Sequence, residues 1–280
     1  MNGRIDLSRP PSVALGAVLV GLLGGLLAAL LLTFVGEPSI ERAINIELER
    51  AEAQDDGTVE PEIVSRSVQR GAGLFLAYAL TGVAFGLLFA VVFWAWRGSR
   101  PDPFRRALVA GTVLAGALTV APWLKYPPNP PAVGDPETLA ERQLLYVSLI
   151  CLTAVVGVAA AALSTRLRHD GWTESRRTVA VVLSVVVPLG IAMAVLPGAP
   201  DPITVPADLL WRFRLAALSG NLLLWTVITL GFGLLASEAV RAEPEASEAV
   251  RAEPEASEAV RADKPDPEPE PDPEISTRSL

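Results

Sequence analysis

Six long stretches without a charged side chain limit this chain to one class of fold. An α-helix rises about 1.5 Å per residue, so about 20 apolar residues cross the roughly 30 Å of bilayer hydrocarbon. The uncharged stretches cover residues 13–35, 71–96, 107–124, 144–163, 178–196 and 215–236. We therefore predict an all-α, polytopic integral membrane protein, built as a six-helix transmembrane bundle within residues 1–236.

Arginines in the short loops predict the orientation of this bundle. They crowd the segments that follow the second and fourth stretches, at Arg97, Arg100, Arg105, Arg106, Arg166, Arg168, Arg176 and Arg177. Basic residues in short loops favour the cytoplasmic side of a membrane. We therefore expect both termini in the cytoplasm, with the first, third and fifth loops outside.

The segment after the sixth stretch differs from the rest of the chain in composition. The motif SEAVRAEPEA occurs at residues 237–246 and again at 247–256, followed by alternating proline and acidic residues. This segment also accounts for the whole net charge of −8. High charge, frequent proline and the lack of aromatic residues predict a disordered acidic tail over residues 237–280.

The three loops predicted to lie outside share a local pattern, in which an acidic residue stands beside a proline at a helix start. In the first loop Glu37 precedes Pro38, and apolar residues then recur at helical spacing, which predicts a short amphipathic helix. In the third loop Tyr126–Pro131 contains four prolines and predicts a stiff extended ribbon, after which Asp135 precedes Pro136.

The fifth loop continues this pattern. There Asp208 lies in the first turn of a helix that follows Pro206, and its spacing from Arg212 predicts an i,i+4 ion pair.

Four acids of these loops are the candidate metal ligands: Glu37, Glu41, Asp135 and Asp208. They would lie near the outer ends of their helices, where a bundle could bring them around one opening. Carboxylate oxygens suit a weakly held divalent ion. The alternative is that each acid acts only as a helix cap or as the partner of an arginine, which is the usual role of acids at helix starts.

Other chemistries lack the residues they need. The only lysines are Lys125 and Lys264, and neither follows a glycine-rich turn, so the chain has no phosphate-binding loop for ATP. The only cysteine, Cys151, lies in an apolar stretch and is expected to be a buried apolar residue. No nucleophile and base, and no metal triad, can be assembled, so we expect neither an enzyme nor a nucleic-acid partner.

Several longer motifs bear a resemblance to a known family. They are GEPSIERAI, VSRSVQRGAGLF followed by GVAFG, LKYPPNPPAVGDP and PADLLWRFRLAAL, in this order and separated by apolar stretches. Over about residues 13–236 the chain resembles the bacterial CbtA family, the probable cobalt transporter subunit. The resemblance implies a multi-pass protein of the bacterial inner membrane that takes part in cobalamin-linked cobalt uptake. It also implies a small single-span partner with a histidine-bearing end.

Two functions remain open at this point. The first is a subunit of a cobalt uptake system, for which cobalt is the cargo and no resident cofactor is expected. The second is a membrane scaffold that binds a partner and transports nothing. Many relatives look histidine-rich in the first outer loop, whereas AEAQDDGTVEPE at residues 51–62 contains no histidine. The single histidine, His169, is predicted on the cytoplasmic side.

Overall fold

The computed structural model describes residues 6–53, 64–96, 102–131, 133–134 and 136–262, and for Pro136 and residues 242–262 it describes only the backbone. Its helices are α1 (Pro10–Val35), α2 (Glu37–Ala53), α3 (Arg66–Ala95), α4 (Pro103–Lys125), α5 (Leu139–His169), α6 (Glu174–Val195) and α7 (Ala207–Ala262). The described residues contain no strand, and six of the helices, all except α2, are long and apolar enough to cross a membrane. These findings confirm the all-α, six-span fold class.

The spans are longer than the uncharged stretches that predicted them. Helix α3 starts at Arg66 and α5 ends at His169, because charged side chains can occupy the ends of a membrane helix while their heads stay in the polar interface. The backbone of α7 stays helical to Ala262. Residues 263–280 lie outside the described part of the chain, and the disorder of the tail stays a prediction.

Helices α1 and α3 approach each other along glycines. A Cβ atom built on Gly82 of α3 would meet the carbonyl oxygen of Gly21 in α1 first, and would lie 2.8 Å from the carbonyl carbon of Gly21. Gly25 faces the carbonyl of Tyr78 in the same way, and Gly86 faces that of Ala17. These glycines, spaced four residues apart in each helix, bring the two backbones into direct contact.

The core of the bundle is aromatic, and α3 and α7 contribute most of it. The ring of Phe232 in α7 meets those of Phe89 and Phe93 in α3 edge-on, at centroid distances of 5.3 and 4.8 Å. The indole nitrogen of Trp225 donates to the hydroxyl of Thr119 in α4 over 3.0 Å. Because all these side chains are buried, α3, α4 and α7 are fixed to one another in the middle of the bundle.

Helices α5 and α6 lie at the edge of the bundle and pack mainly against each other. Of the 18-residue apolar stretch in each helix, only 6% is buried inside the protein in α6, compared with 39% in α1. Cys151 of α5 is exposed, so the expectation that it would be buried is wrong. It lies in the most loosely packed part of the bundle, where the outer helix surfaces have no protein neighbour to cover them.

Candidate functional site

The first, third and fifth loops meet at one end of the bundle. A small apolar cluster joins them, with Ala43 from α2, Val133 from the loop after α4, and Val205, Leu209 and Leu210 from the segment that starts α7. All five side chains are buried. The structure therefore places the three loops together at one end of the bundle, as the succession of six spans predicted.

Two polar groups at the end of α4 hold the end of α6. The ammonium group of Lys125 donates to the carbonyl oxygens of Met193 at 2.9 Å and Leu196 at 2.7 Å. The hydroxyl of Tyr126 donates to the carbonyl of Pro197 over 3.0 Å, and burial raises the pKa of this phenol. A cation at the negative end of a helix dipole is stabilising, so Lys125 acts as a C-terminal cap supplied by another helix.

The side chain of Asp201, in the loop after α6, is fully buried, with none of its surface exposed. It accepts a hydrogen bond from the Thr138 hydroxyl at 2.5 Å and pairs with the Nε of Arg142 at 3.1 Å. These contacts tie the fifth loop to the start of α5. Sequence reasoning missed Asp201, because an acid followed by proline is typical of an exposed turn.

Two of the four candidate metal ligands form ion pairs across the first loop. Glu37, which is only 7% exposed, pairs with Arg66 at the start of α3, and Glu41 pairs with Arg70 over 2.5 Å. One helical turn separates the acids, and another separates the arginines. The two pairs therefore fix α2 parallel to the first turn of α3.

Asp208, the third candidate, pairs with an unexpected partner. Its carboxylate accepts a hydrogen bond from Arg42 of α2 at 2.8 Å, so the predicted local pair with Arg212 is wrong. Arg42 reaches Asp208 because the apolar cluster packs α2 against the start of α7. The fourth candidate, Asp135, lies outside the described residues.

Each of the three described candidates thus has an arginine partner. Among the residues that the structure describes, no group of three or more His, Cys, Asp or Glu side chains could together hold a metal ion. The three ion pairs hold α2 against α3 and α7. A role for these acids in metal binding stays a prediction, and it would require at least one arginine to release its carboxylate.

Comparison with known proteins places this architecture in a family. The family model described as the probable cobalt transporter subunit (CbtA) matches residues 12–237, which include nearly all of the six spans. The chain belongs to the CbtA family. Neither the curated proteins nor the solved structures with which it was compared include a match. The family description is that of a transporter subunit, which implies a partner.

Proposed function

We propose that this chain is the membrane-embedded subunit of a cobalt uptake system in the bacterial inner membrane. Its membership in the CbtA family, over a match to residues 12–237, carries the proposal. The arginines of the short loops support an orientation with both termini in the cytoplasm and the acid-bearing loops outside. Energy would come from an ion gradient or from another subunit, because the sequence has no phosphate-binding loop.

The outer acids would form the entrance for the ion. Glu37, Glu41, Asp135 and Asp208 supply oxygen ligands, and a divalent cation is attracted to a carboxylate more strongly than a singly charged guanidinium is. A cobalt ion would therefore compete with the arginines for these carboxylates. Because the arginines compete for the same carboxylates, the ion would be held weakly and could be released further along its path.

Nitrogen ligands would have to come from a partner. Cobalt tolerates oxygen ligands, but imidazole suits it better. The only histidine of the chain, His169, lies at the far end of α5 from the acids and has a side chain that is 92% exposed. A small single-span subunit with a histidine-bearing end would supply the missing ligands at the outer face.

Cobalt accumulation tests this function directly. Cells that lack the chain and then re-express it should regain uptake at submicromolar cobalt. Glu37→Gln and Asp135→Asn should each lower uptake about 10-fold or more, whereas Glu52→Gln, at the exposed end of α2, should leave uptake unchanged. Normal uptake by the first two variants, present at normal levels, would reject the acidic entrance and leave the transport role standing.

The second candidate function is a membrane scaffold that binds a partner without transporting cobalt. The ion pairs favour it, because every described candidate ligand already has an arginine partner. In this case cobalt accumulation would be the same with and without the chain, while a single-span protein would still co-purify with it. Restored accumulation on re-expression contradicts the scaffold function.

A further inference from the structure

The six spans divide into two groups according to how they pack. The main buried apolar core is formed by α1, α3, α4 and α7, and none of its described residues belongs to α5 or α6. In α6, which the structure describes throughout, Ala192 is the only buried residue. We refer to α1, α3, α4 and α7 as the body and to α5 and α6 as the helix pair. The helix pair therefore lies against the body and outside its core.

Polar contacts attach the helix pair to the body at the end where the three loops meet, which we call the loop end. The ammonium group of Lys125 donates to the carbonyls of Met193 and Leu196, and the hydroxyl of Tyr126 donates to that of Pro197. A charged donor makes such hydrogen bonds stronger. The chain also passes from α4 to α5 at this end. The loop end of the helix pair is therefore held firmly.

Near the middle of α5, a π-turn in α4 makes the next polar contact. The turn covers Gly116–Val120, and the amide of Ala121 donates to the carbonyl five residues back. Pro122 has no amide, so α4 offers no donor at the usual spacings to the carbonyl of Ala117. Thr153 of α5 donates to this carbonyl over 3.2 Å. The helix pair thus supplies a hydrogen bond that α4 does not supply itself.

The hydroxyl of Thr153 has a second acceptor within its own helix. It lies 2.8 Å from the carbonyl oxygen of Ile150, which is closer than the 3.2 Å to that of Ala117. A hydroxyl has one hydrogen, so full donation to Ile150 releases α4. The carbonyl of Ala117 then loses its donor, which limits how often the contact opens. This contact can therefore break at a small cost and form again.

Beyond Thr153 the helix pair runs to its far end, opposite the loop end. There the carboxylate of Asp170 lies 4.0 Å from Arg166 and 3.9 Å from His169, all within the helix pair. A Cβ atom built on Gly157 of α5 would meet no atom within 4 Å, so this part of α5 is loosely packed. These contacts support the helix pair without tying it to the body.

We propose that the helix pair moves as one unit against the body, with the loop end as its pivot. The Thr153 contact breaks and forms again, so the gap between α4 and α5 widens towards the far end. Such motions turn on a few residues at the ends of helices, and Lys125 and Tyr126 hold that position here. The motion needs no transported ion, so its test is independent of cobalt uptake.

Distances between spin labels, measured by double electron–electron resonance on the full chain in lipid nanodiscs, test the proposal. All variants carry Cys151→Ser, and the labels replace exposed side chains. The far-end labels are on Arg105→Cys and Thr165→Cys, on either side of the gap. The pivot labels are on Val35→Cys and Val195→Cys, at the loop end of the body and of the helix pair.

The control labels are on Leu15→Cys and Arg105→Cys, which both lie on the body at the far end. At about 1.5 Å per residue, Thr165 lies about 39 Å from the start of α5, so a rotation of about 10° moves it by about 7 Å. The far-end labels should therefore show two distances that differ by about this amount. The pivot labels and the control labels should show one distance each.

Thr153→Val removes the hydroxyl of the middle contact and keeps the shape of the side chain. It should raise the ratio of the longer to the shorter far-end distance about 5-fold, which is the usual effect of one hydrogen bond. The matched control is Thr178→Val, which removes a hydroxyl that donates within α6 and should leave the ratio unchanged. Equal ratios in the two variants contradict the proposal.

Two further results would overturn it. The first is a single far-end distance both in the parent chain and in Thr153→Val. The second is a change in the pivot or control distances as large as that of the far-end distance, because the pivot or the body would then move as well.

Discussion

The contact between α1 and α3 predicts a large difference between two chemically identical substitutions. Gly82→Ala places a methyl group against the backbone of Gly21, 2.8 Å from its carbonyl carbon and closer still to the oxygen. Carbon atoms in contact lie about 3.5–4.0 Å apart, so the two backbones must separate by roughly 1 Å. In Gly190→Ala, on the exposed side of α6, the methyl group meets no atom within 4 Å.

The magnitude follows from two opposing effects. Alanine is a better helix former than glycine by about 0.5–1 kcal/mol, and this gain applies to both substitutions. Overpacking a close contact costs about 1–3 kcal/mol, and it applies only at Gly82. Gly82→Ala should therefore be less stable than Gly190→Ala by about 1–3 kcal/mol, which is roughly a 5- to 150-fold difference in the unfolding equilibrium.

Reversible unfolding in mixed detergent micelles, followed by tryptophan fluorescence, measures this difference. Adding Gly21→Ala to Gly82→Ala should cost less than the sum of the two single effects, because a methyl group on Gly21 occupies the same gap. The reasoning fails if Gly82→Ala is as stable as Gly190→Ala, since the two backbones would then not be in contact.

Three further predictions concern the loops and the orientation of the bundle. Asp201→Asn should lower the free energy of unfolding by about 2 kcal/mol, because a buried arginine pair is lost; an unchanged value would contradict this role. Lys125→Met should speed amide hydrogen exchange at the end of α6 about 10-fold, and unchanged exchange would argue against the cap. In a Cys151→Ser background, Glu52→Cys should react with an external, membrane-impermeant maleimide and Thr173→Cys should not; the opposite pattern would reverse the proposed orientation.

The local patterns of the sequence predicted most of the fold. Uncharged stretches located the six spans, and the helical spacing after Glu37 predicted α2, because both depend on residues close together in the chain. The four-residue spacing of Gly21 and Gly25 in α1, and of Gly82 and Gly86 in α3, allows a close helix contact, but the sequence does not state which residues face each other.

Partners distant in the chain were not predictable in this way. The spacing of Asp208 and Arg212 suggested a local pair, but Arg42, 166 residues away, takes the carboxylate. The burial of Asp201 also depends on Thr138 and Arg142, which only the folded chain brings to it. A helix-start acid looks the same in a sequence whether its partner is a neighbour, a distant arginine or a metal ion.

The glycine contact also limits which helices of the bundle can turn. If α3 rotated about its axis by one residue, or about 100°, a side chain larger than hydrogen would enter the gap against Gly21, where even a methyl group does not fit. Helices α1 and α3 must therefore move as one rigid body. Helix α6 meets no such obstacle, since only 6% of its apolar stretch is buried inside the protein. Its end is held by hydrogen bonds from Lys125 and not by a close contact between backbones. Any rotation of a single span would be far less hindered in α6 than in α1 or α3.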